Sequence, residues 1–323
     1  MDEFGFIAEY LSCLAGPEGL DLKDDAAVWK PPAGFDAVIS MDTLVEGVHF
    51  PQDKFDAQIA QKLIAVNVSD IIAKGADPLG YFLSLSLPKK TDLEALKDFC
   101  SGLDAAQYDY EVKLWGGDTT RTDGPLTMSV TMIGTVPTGK AVLRTGAKIG
   151  DFVCVTGNIG GSYLGLKTLL KQIDTEVYPT KFWVNKYHMP RPAFEFRAGV
   201  RTYANAAIDI SDGLLADAEH LARASGVCID INLPAIPLST ISTAWVSAQP
   251  DQQVARLELA TGGDDYQVLM CVSEAQIPAL KKQAALRKIN LAVIGKVISG
   301  AGVTCRGSDG EVIPVTEPGY RHF

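Results

Sequence analysis

Aspartates recur in six short segments that also contain small or hydroxyl side chains. In chain order these are LKDDAAV, ISMDTL, VNVSDI, GGDTTR, IDISDGL and TGGDDYQ. An aspartate in such a setting most often caps a helix or bonds its own backbone in a turn. Asp70 and Asp209 differ because their neighbours, AVNVSDIIA and AAIDIS, are apolar. A carboxylate buried there without a partner is costly, so each must be paired or bind a cation.

Magnesium is the cation that such a set of side chains favours. Several carboxylates in one place repel each other and raise one another's pKa, and a hard cation removes that repulsion. Mg²⁺ takes oxygen ligands and is commonly held by a few carboxylates together with substrate phosphates. The histidines and cysteines offer no competing site for a softer metal, because they are scattered along the chain without C-x-x-C or other ligand spacing. The aspartates therefore predict an Mg²⁺-dependent enzyme that acts on phosphates.

Other phosphate-binding machinery is missing from the sequence. The segment GGSYLGLKT, residues 160–168, resembles a P-loop, but Leu166 stands where the lysine must be and Lys167 comes one position late. We find no G-x-G-x-x-G fingerprint, kinase H-R-D signature or G-x-S-x-G elbow. The segment is instead predicted to be the glycine-rich start of a helix.

The aspartates must be positioned by alternating strands and helices. Apolar patterning predicts a strand at 36–41, a helix at 56–74 ended by Gly75, a strand at YFLSLSL and a helix at 92–108. On the first helix Asn67 and Asp70, three residues apart, share one face. EVKLW and LTMSVTMIGTV read as strands, and GGDTTR reads as a strand end and turn that presents Asp118. Gly116 and Gly117 would allow close approach to a phosphate.

A second series of elements follows RTGAKIGD, residues 144–151, which we take as the domain boundary. DFVCVTG and the segments near 228–232, 266–272 and 291–297 read as strands, with helices at 161–172 and after SDGL, and EPGYRHF reads as loop. The predicted class is α/β or α+β, with an N-terminal domain at 1–147 and a C-terminal domain at 148–323.

Composition narrows the class of protein further. The chain has 323 residues, of which 47% are hydrophobic, and a formal net charge of -10 without a basic cluster, so a general nucleic-acid binder is not expected. The N-terminal MDEFGFIAEYLSCLAG lacks the pattern of a signal peptide, and no uncharged apolar stretch is long enough to span a bilayer. We expect no membrane partner and a cytoplasmic location, with the six cysteines as small buried hydrophobes.

Taken in order, the motifs resemble one family. DDAAV, SMDTLVEGVHF, AVNVSDIIAKGADP, GGDTTR, RTGAKIGD, IDISDGL and TGGDDY are similar, in this order, to segments of the thiamine-monophosphate kinase family, within the aminoimidazole ribonucleotide synthetase-like superfamily. The resemblance spans about residue 24 to residue 320. EGVHF and GGDTTR best separate this family from its relatives.

The resemblance implies a fold and an activity. The fold would be a two-domain aminoimidazole ribonucleotide synthetase-like α/β (α+β) fold, whose N-terminal domain dimerises through its sheet. The enzyme would transfer the γ-phosphoryl group of ATP directly onto thiamine monophosphate, with several Mg²⁺ ions, giving thiamine diphosphate and ADP. That reaction would be the last step of thiamine diphosphate biosynthesis, carried out by a homodimer.

The resemblance also implies roles for particular residues. The implied metal ligands are Asp25, Ser40, Met41, Asp42, Asp70, Asp118, Asp209 and Asp212. The implied nucleotide contacts are Gly117, Asp118, Arg144, Ser211 and Tyr108. His49, Asp264 and Tyr320 would contact thiamine monophosphate, and Asp42, Asp118 and Asp212 would serve catalysis.

Three departures from the family pattern keep alternatives open. Met41 stands where the family often has threonine, LDLK replaces a Gly-Ile-Gly before DDAA, and Asp264 stands where glutamate is frequent. One alternative is another ATP-dependent enzyme of the superfamily: a purine-intermediate synthetase, a selenophosphate synthetase or a hydrogenase-maturation enzyme. Cys13, in EYLSCLAG, has no glycine-rich neighbourhood, which argues against selenophosphate synthesis. The other alternative is a non-catalytic nucleotide- or Mg²⁺-binding homologue.

Overall fold

The chain divides into two compact units. The computed structural model describes residues 3–52 and 54–320. One unit consists of the residues up to Ile71 together with Ala76–Ala141, and the other of Ile72–Gly75 together with the residues from Val142 onward.

The helices and strands are these. The helices are α1 (Glu3–Phe6), α2 (Ala57–Ala73), α3 (Leu93–Tyr110), α4 (Gly161–Leu169), α5 (Lys181–His188), α6 (Arg197–Tyr203), α7 (Leu214–Ser225), α8 (Thr240–Ser247), α9 (Gln252–Thr261) and α10 (Ile277–Leu286). The strands are β1 (Phe35–Val45), β2 (Asp77–Pro88), β3 (Lys113–Thr122), β4 (Thr127–Pro137), β5 (Phe152–Thr156), β6 (Ala206–Asp209), β7 (Cys228–Asn232), β8 (Val268–Val272), β9 (Leu291–Ile298), β10 (Gly302–Arg306) and β11 (Val312–Ile313).

The first unit is a four-stranded sheet with helices on one face. Its strand order is β1-β4-β2-β3, with β2 and β3 parallel and the other pairs antiparallel. Alternate residues of the central strands, such as Leu83 and Val130, are buried on the helix face. Helix α2 begins where Asp56 accepts hydrogen bonds from the backbone N–H groups of Gln58 and Ile59. The opposite face of β1 is exposed at alternating residues.

The second unit is built on a seven-stranded sheet. Its order is β11-β10-β7-β9-β5-β8-β6. Within this sheet β7 and β10 are parallel neighbours, and the other described pairs are antiparallel. Its core combines strand residues such as Val155, Ile229 and Leu269 with Leu214 and Leu221 of α7, all 1% exposed or less. The loops that follow β6 and precede β8 carry most of the polar residues of interest in this unit.

The predicted elements are confirmed where apolar periodicity is strong, including the strand at 36–41 and the helix at 56–74. The expectation that GGDTTR forms a turn is wrong, because β3 continues through Thr122 and pairs with β2 along its whole length. Six helices, α1, α5, α6 and α8–α10, were not predicted, since they span only four to ten residues. Residues 317–320 of EPGYRHF lack regular structure, as expected, and 321–323 lie outside the described residues.

Candidate active site

Helix α2 holds β1 through two polar contacts on the helix face of the first sheet. Ser40 and Asp42 are two residues apart on β1 and therefore point to the same face. The Ser40 hydroxyl donates to the Asp70 carboxylate at 2.5 Å, and the Asp42 backbone N–H donates to the Asn67 side-chain oxygen at 3.0 Å. The three-residue spacing of Asn67 and Asp70 on the helix thus matches the two-residue spacing on the strand.

This cluster, Ser40, Asp42, Asn67 and Asp70, presents oxygen donors on a fixed frame. Asn67 is fully buried and its amide nitrogen donates to the Leu63 carbonyl at 2.8 Å, so its side chain is anchored at both ends. Asp42 and Asp70 are half-buried. Ser40 is therefore the partner that the apolar neighbours of Asp70 led us to expect. The oxygen atoms of this cluster are of the kind that a hard cation prefers as ligands.

A cavity of about 410 Å³ lies on the opposite face of the same sheet. Its floor includes three register-matched polar residues, Ser129, Ser84 and Asp118. Thr43 of β1 continues this row, and its hydroxyl lies 2.7 Å from that of Ser129. Its lining includes Asp24, Asp25, Met41, Phe82, Ser84, Trp115, Gly117, Asp118 and Ser129. The structure therefore brings the predicted residues Asp25, Gly117 and Asp118 to one cavity, and places Met41 there rather than beside Ser40 and Asp42.

Glycine at position 117 has a reason within the sheet itself. A Cβ on Gly117 would lie 1.9 Å from the Leu83 carbonyl oxygen of the neighbouring strand β2. The close pairing of β2 with β3 therefore excludes a side chain there, whatever the approach of a phosphate requires. Arg121 also has a structural contact, since its guanidinium donates to the Pro88 carbonyl at 3.2 Å at the end of β2.

The segment that replaces the family's Gly-Ile-Gly keeps a glycine-like backbone. Leu20, Asp21 and Leu22 have φ values of 51°, 56° and 56°. This left-handed region costs a non-glycine residue about 1–2 kcal/mol. Leu22 lines the cavity and the segment leads directly to Asp24 and Asp25, so strained backbone adjoins this edge of the cavity.

Asp42 and Asp118 lie far apart in one chain. In the sheet register Asp42 shares a row with Val130, Leu83 and Gly117, whereas Asp118 falls in the next row and on the other face. Three interstrand steps separate β1 from β3, which corresponds to about 14 Å. Across residues 3–52 and 54–320 no three His, Cys, Asp or Glu side chains are grouped so that they could hold a metal ion. The predicted shared cluster of aspartates therefore stays a prediction.

In the second unit one carboxylate organises the loop after β6. Asp217, only 3% exposed, lies in the first turn of α7. One of its oxygens accepts hydrogen bonds from three consecutive backbone N–H groups, those of Ser211, Asp212 and Gly213, at 3.0, 3.1 and 3.2 Å. The predicted ligands Asp209 and Asp212 and the predicted nucleotide contact Ser211 are therefore carried by β6 and the loop held by Asp217.

The carbonyl groups of the same loop hold the two segments predicted to contact the substrate. The Ile210 and Ser211 carbonyls accept from the N–H groups of Tyr266 and Asp264, at 2.7 and 2.8 Å. The Asp212 carbonyl accepts from the Tyr320 N–H at 2.9 Å. Asp264, Tyr320 and the Ser211–Asp212 loop are thus joined by backbone hydrogen bonds, although they are distant in sequence.

Two buried acids of this unit have strongly shifted pKa values. Burial, reinforced by the charge of Asp212, raises the pKa of Asp217 to about 7, against the opposing effect of its three N–H donors. Burial likewise raises the pKa of Asp265 to about 7. Asp265 is opposed by N–H donors at the start of α4, among them Gly160 at 2.8 Å. Sequence reasoning missed both residues as organisers; the only signal is their position inside SDGLLAD and GGDDY.

The remaining predicted residues are more dispersed. The Nδ1 atom of His49 accepts from the Val45 N–H at 2.9 Å in the turn after β1, so in the neutral ring Nε2 carries the proton. Arg144 is exposed, and its carbonyl accepts from the Ser225 hydroxyl. Tyr108 is 88% exposed on α3 and is not part of the cavity lining.

Metal-binding or disulfide roles for cysteine find no support among the described residues. All six cysteines are free, and every one except Cys13 is buried. Nor does any helix within 3–52 and 54–320 have the length and apolar character needed to cross a membrane.

The fold and the two sites define a class of protein. Residues 23–136 match the family model "AIR synthase related protein, N-terminal domain", and residues 148–307 match "AIR synthase related protein, C-terminal domain". The chain is therefore an AIR synthase-related protein, and the two-domain fold predicted for it is confirmed, whereas dimerisation through its sheet stays a prediction. A hydrogenase-maturation protein, HypE of Escherichia coli, shares this fold with a TM-score of 0.78 at only 19% identity.

Closer relatives identify the family. The chain is 39% identical over 314 residues to the thiamine-monophosphate kinase of Caulobacter vibrioides, covering 97% of this chain and 88% of the relative. It is 36% identical to that of Escherichia coli K12, covering 99% and 98%. The solved structure "AaThiL complexed with AMPPCP and TMP" matches with a TM-score of 0.79 at 30% identity, covering 99% and 97%. The chain belongs to the thiamine-monophosphate kinase family, as the motifs predicted.

Proposed function

We propose that this chain phosphorylates thiamine monophosphate with ATP, giving thiamine diphosphate and ADP. The observation that carries the proposal is the identity of 36–39% to thiamine-monophosphate kinases along nearly the whole chain. The related structure bound to AMPPCP and TMP supports the same pair of substrates. A synthetase of the wider superfamily is less well supported, because the likeness to HypE at 19% identity extends to the fold alone.

Magnesium fits the residues that this proposal assigns to it. The carboxylates of Asp25, Asp42, Asp70, Asp118, Asp209 and Asp212 and the hydroxyl of Ser40 are all oxygen donors. Such donors suit Mg²⁺ rather than zinc or copper. When bound, Mg²⁺ supplies neutralisation of the negative charge on the phosphates during transfer. The Met41 side chain is a thioether and adds no such donor, so Met41 is proposed to contribute through its backbone carbonyl oxygen.

The chain's own residues supply positioning. Phosphoryl transfer needs little covalent chemistry from a protein, but it needs the reacting groups held in line. In this proposal Gly117, Asp118, Ser211, Arg144 and Tyr108 contact the nucleotide. His49, Asp264 and Tyr320 contact thiamine monophosphate, whose cationic thiazolium suits the Asp264 carboxylate and the Tyr320 ring. The backbone bonds from Ser211 to Asp264 and from Asp212 to Tyr320 support a common frame for part of both groups.

A second copy of the chain would complete the site. Two ligands of one Mg²⁺ lie within a few ångströms of each other, because each metal–oxygen distance is about 2 Å. Asp42 and Asp118 of one chain are on opposite faces of the sheet and about 14 Å apart. Ile39 and Met41 are 63% and 61% exposed on the outer face of the edge strand β1. Such apolar residues on an unpaired edge mark an association surface, so we propose a homodimer formed through this sheet.

Two features remain proposals carried by the sequence. The nucleotide- and metal-binding domain is proposed to end at residue 147, within RTGAKIGD. The protein is proposed to act in the cytoplasm, which its free cysteines support.

An activity assay tests the proposal directly. Purified protein with ATP, Mg²⁺ and thiamine monophosphate is expected to form thiamine diphosphate and ADP in equal amounts, measured by chromatography. Replacing thiamine monophosphate by thiamine, or omitting Mg²⁺, is expected to abolish diphosphate formation. No thiamine diphosphate at saturating substrates would refute the proposal, and nucleotide binding without transfer would favour the non-catalytic alternative.

A further inference from the structure

The short segment Ile210–Gly213 connects the proposed metal and substrate sites of the second unit. Three of its consecutive N–H groups, at 211–213, all donate to one oxygen of Asp217. Three of its consecutive carbonyls, at 210–212, accept from Tyr266, Asp264 and Tyr320. A loop normally leaves such groups to water, but here each of these six backbone groups has a protein partner.

The segment has little freedom to relax if one of these partners is lost. A Cβ on Gly263 would lie 2.5 Å from the Ser211 carbonyl oxygen, so the backbone that precedes Asp264 packs closely against the segment. Asp264 and Tyr266 have φ values of 68° and 50°, and both donate their N–H groups to the segment. Their unfavourable backbone conformations are therefore retained by hydrogen bonds that depend on where the segment lies.

We infer that Asp217, which is neither a metal ligand nor a substrate contact in the assignment above, is a positioning residue for phosphoryl transfer. Its carboxylate fixes Ser211 and Asp212 directly and, through their carbonyls, fixes Asp264 and Tyr320. This inference rests on the proposed function. It gives a reason for a carboxylate that is only 3% exposed and whose hydrogen bonds come from three backbone N–H groups.

Asp217→Ala and Asp217→Asn test the inference, with Glu219→Gln as the control on the same helix. Glu219 is paired only at the surface, with Arg223 at 3.5 Å. Asp217→Ala removes all three acceptor contacts, and we expect kcat to fall about 10²-fold, the size that a displacement of roughly 1 Å can produce. The asparagine oxygen can still accept these hydrogen bonds, so Asp217→Asn should lower kcat less than Asp217→Ala does. Both should raise the KM for thiamine monophosphate, and Glu219→Gln should change neither quantity more than about twofold.

A binding measurement separates this inference from the proposed function. Calorimetry with a non-hydrolysable ATP analogue should give a weaker Mg²⁺-dependent affinity for the Asp217 variants than for the wild type, even if the wild type proved inactive on thiamine monophosphate. Wild-type kcat, KM and analogue affinity in a folded Asp217→Ala would overturn the inference. If Asp217→Ala fails to fold, wild-type kinetics of Asp217→Asn would overturn it, whereas slower turnover at unchanged melting temperature would support it.

Discussion

The two units hold their functional residues in opposite ways. In the first unit the residues project from a regular sheet, whose pairing places Asp42 and Asp118 three interstrand steps apart and on opposite faces. In the second unit they lie on loops, and backbone hydrogen bonds gather Ser211, Asp212, Asp264 and Tyr320 around one segment. A sheet fixes side chains rigidly but spreads them apart, whereas loops gather residues only when buried groups such as Asp217 satisfy their backbone.

We call the residues on the first sheet, including Asp42, Asp70 and Asp118, the sheet site, and Ser211, Asp212, Asp264 and Tyr320 with their buried acids the loop site. The difference predicts that activity at the sheet site depends on metal and on a second copy of the chain. The loop site should depend on internal hydrogen bonds. The first unit presents half-buried carboxylates and exposed apolar side chains. The second buries its acids at a cost in stability. Substitutions can therefore separate the two regions.

The largest effect is expected at the α2–β1 cluster. Asp70→Asn keeps an oxygen that can accept from Ser40, so the frame should survive while the charge is lost. We expect kcat to fall by at least about 10²-fold, the scale of an electrostatic contribution to catalysis. The melting temperature without Mg²⁺ should stay the same or rise. Steady-state kinetics and thermal unfolding check this, and full activity of the variant would contradict a metal role for the cluster.

The next effect concerns the exposed face of β1. Ile39→Lys should shift the protein toward monomer and lower specific activity about 10-fold or more at dilute enzyme, because a charge opposes burial of this face. Light scattering and activity measured across enzyme concentrations check it. Val254→Lys is a matched control, since Val254 on α9 is 60% exposed in the second unit. An Ile39→Lys protein with the mass and activity of the wild type would argue against association through this sheet.

In the second unit the buried acid Asp265 should make stability depend on pH. Asp265 has a folded-state pKa raised to about 7 by burial, against an ordinary value of 3.8. Between these values the unfolded chain releases the proton that the folded protein retains, so this group's contribution to stability decreases as pH rises from about 4 to about 7. At roughly 1.4 kcal/mol per pKa unit the change is on the order of a few kcal/mol.

Asp265→Asn should remove this part of the pH dependence. Urea unfolding at pH 5 and pH 8 measures it, with the exposed helix cap Asp251→Asn as control, because asparagine caps helices as well as aspartate does. If Asp265→Asn leaves the difference in unfolding free energy between the two pH values unaltered, ionisation of Asp265 does not destabilise the folded protein.

The smallest effect is expected at the strained edge of the cavity. Leu20→Gly relieves a left-handed φ of 51° but adds freedom to the unfolded chain, so a net gain of up to about 1 kcal/mol is expected. Leu20→Ala keeps the Cβ and should give no gain. Chemical denaturation compares the two. Equal stability of both variants would mean that the backbone at Leu20 carries no strain.

Regular elements with strong apolar periodicity could be predicted from the sequence because their pattern is local. The helix at 56–74 combines an apolar stripe, a capping Asp56 and a terminating Gly75, and all of these can be read within twenty residues. The short helices α5, α6 and α8–α10 span only seven to ten residues, which is too few to be stable or to show a clear pattern alone, so tertiary packing decides them. GGDTTR was mistaken for a turn because its glycines suggest one. Gly117 is instead required by the close approach of the neighbouring strand β2, which the local sequence does not show.

For the candidate site, the sequence by itself determined the chemistry: oxygen donors, an acidic charge balance and an ordered set of motifs that identifies the family. Only the tertiary structure decided the geometry. Strand register places Asp42 and Asp118 on opposite faces, and the fold brings the Asp264 N–H to the Ser211 carbonyl. Residue types state which bonds a side chain is able to form. The carbonyls of Ile210, Ser211 and Asp212, however, accept from segments more than fifty residues away, which are joined only when the chain folds.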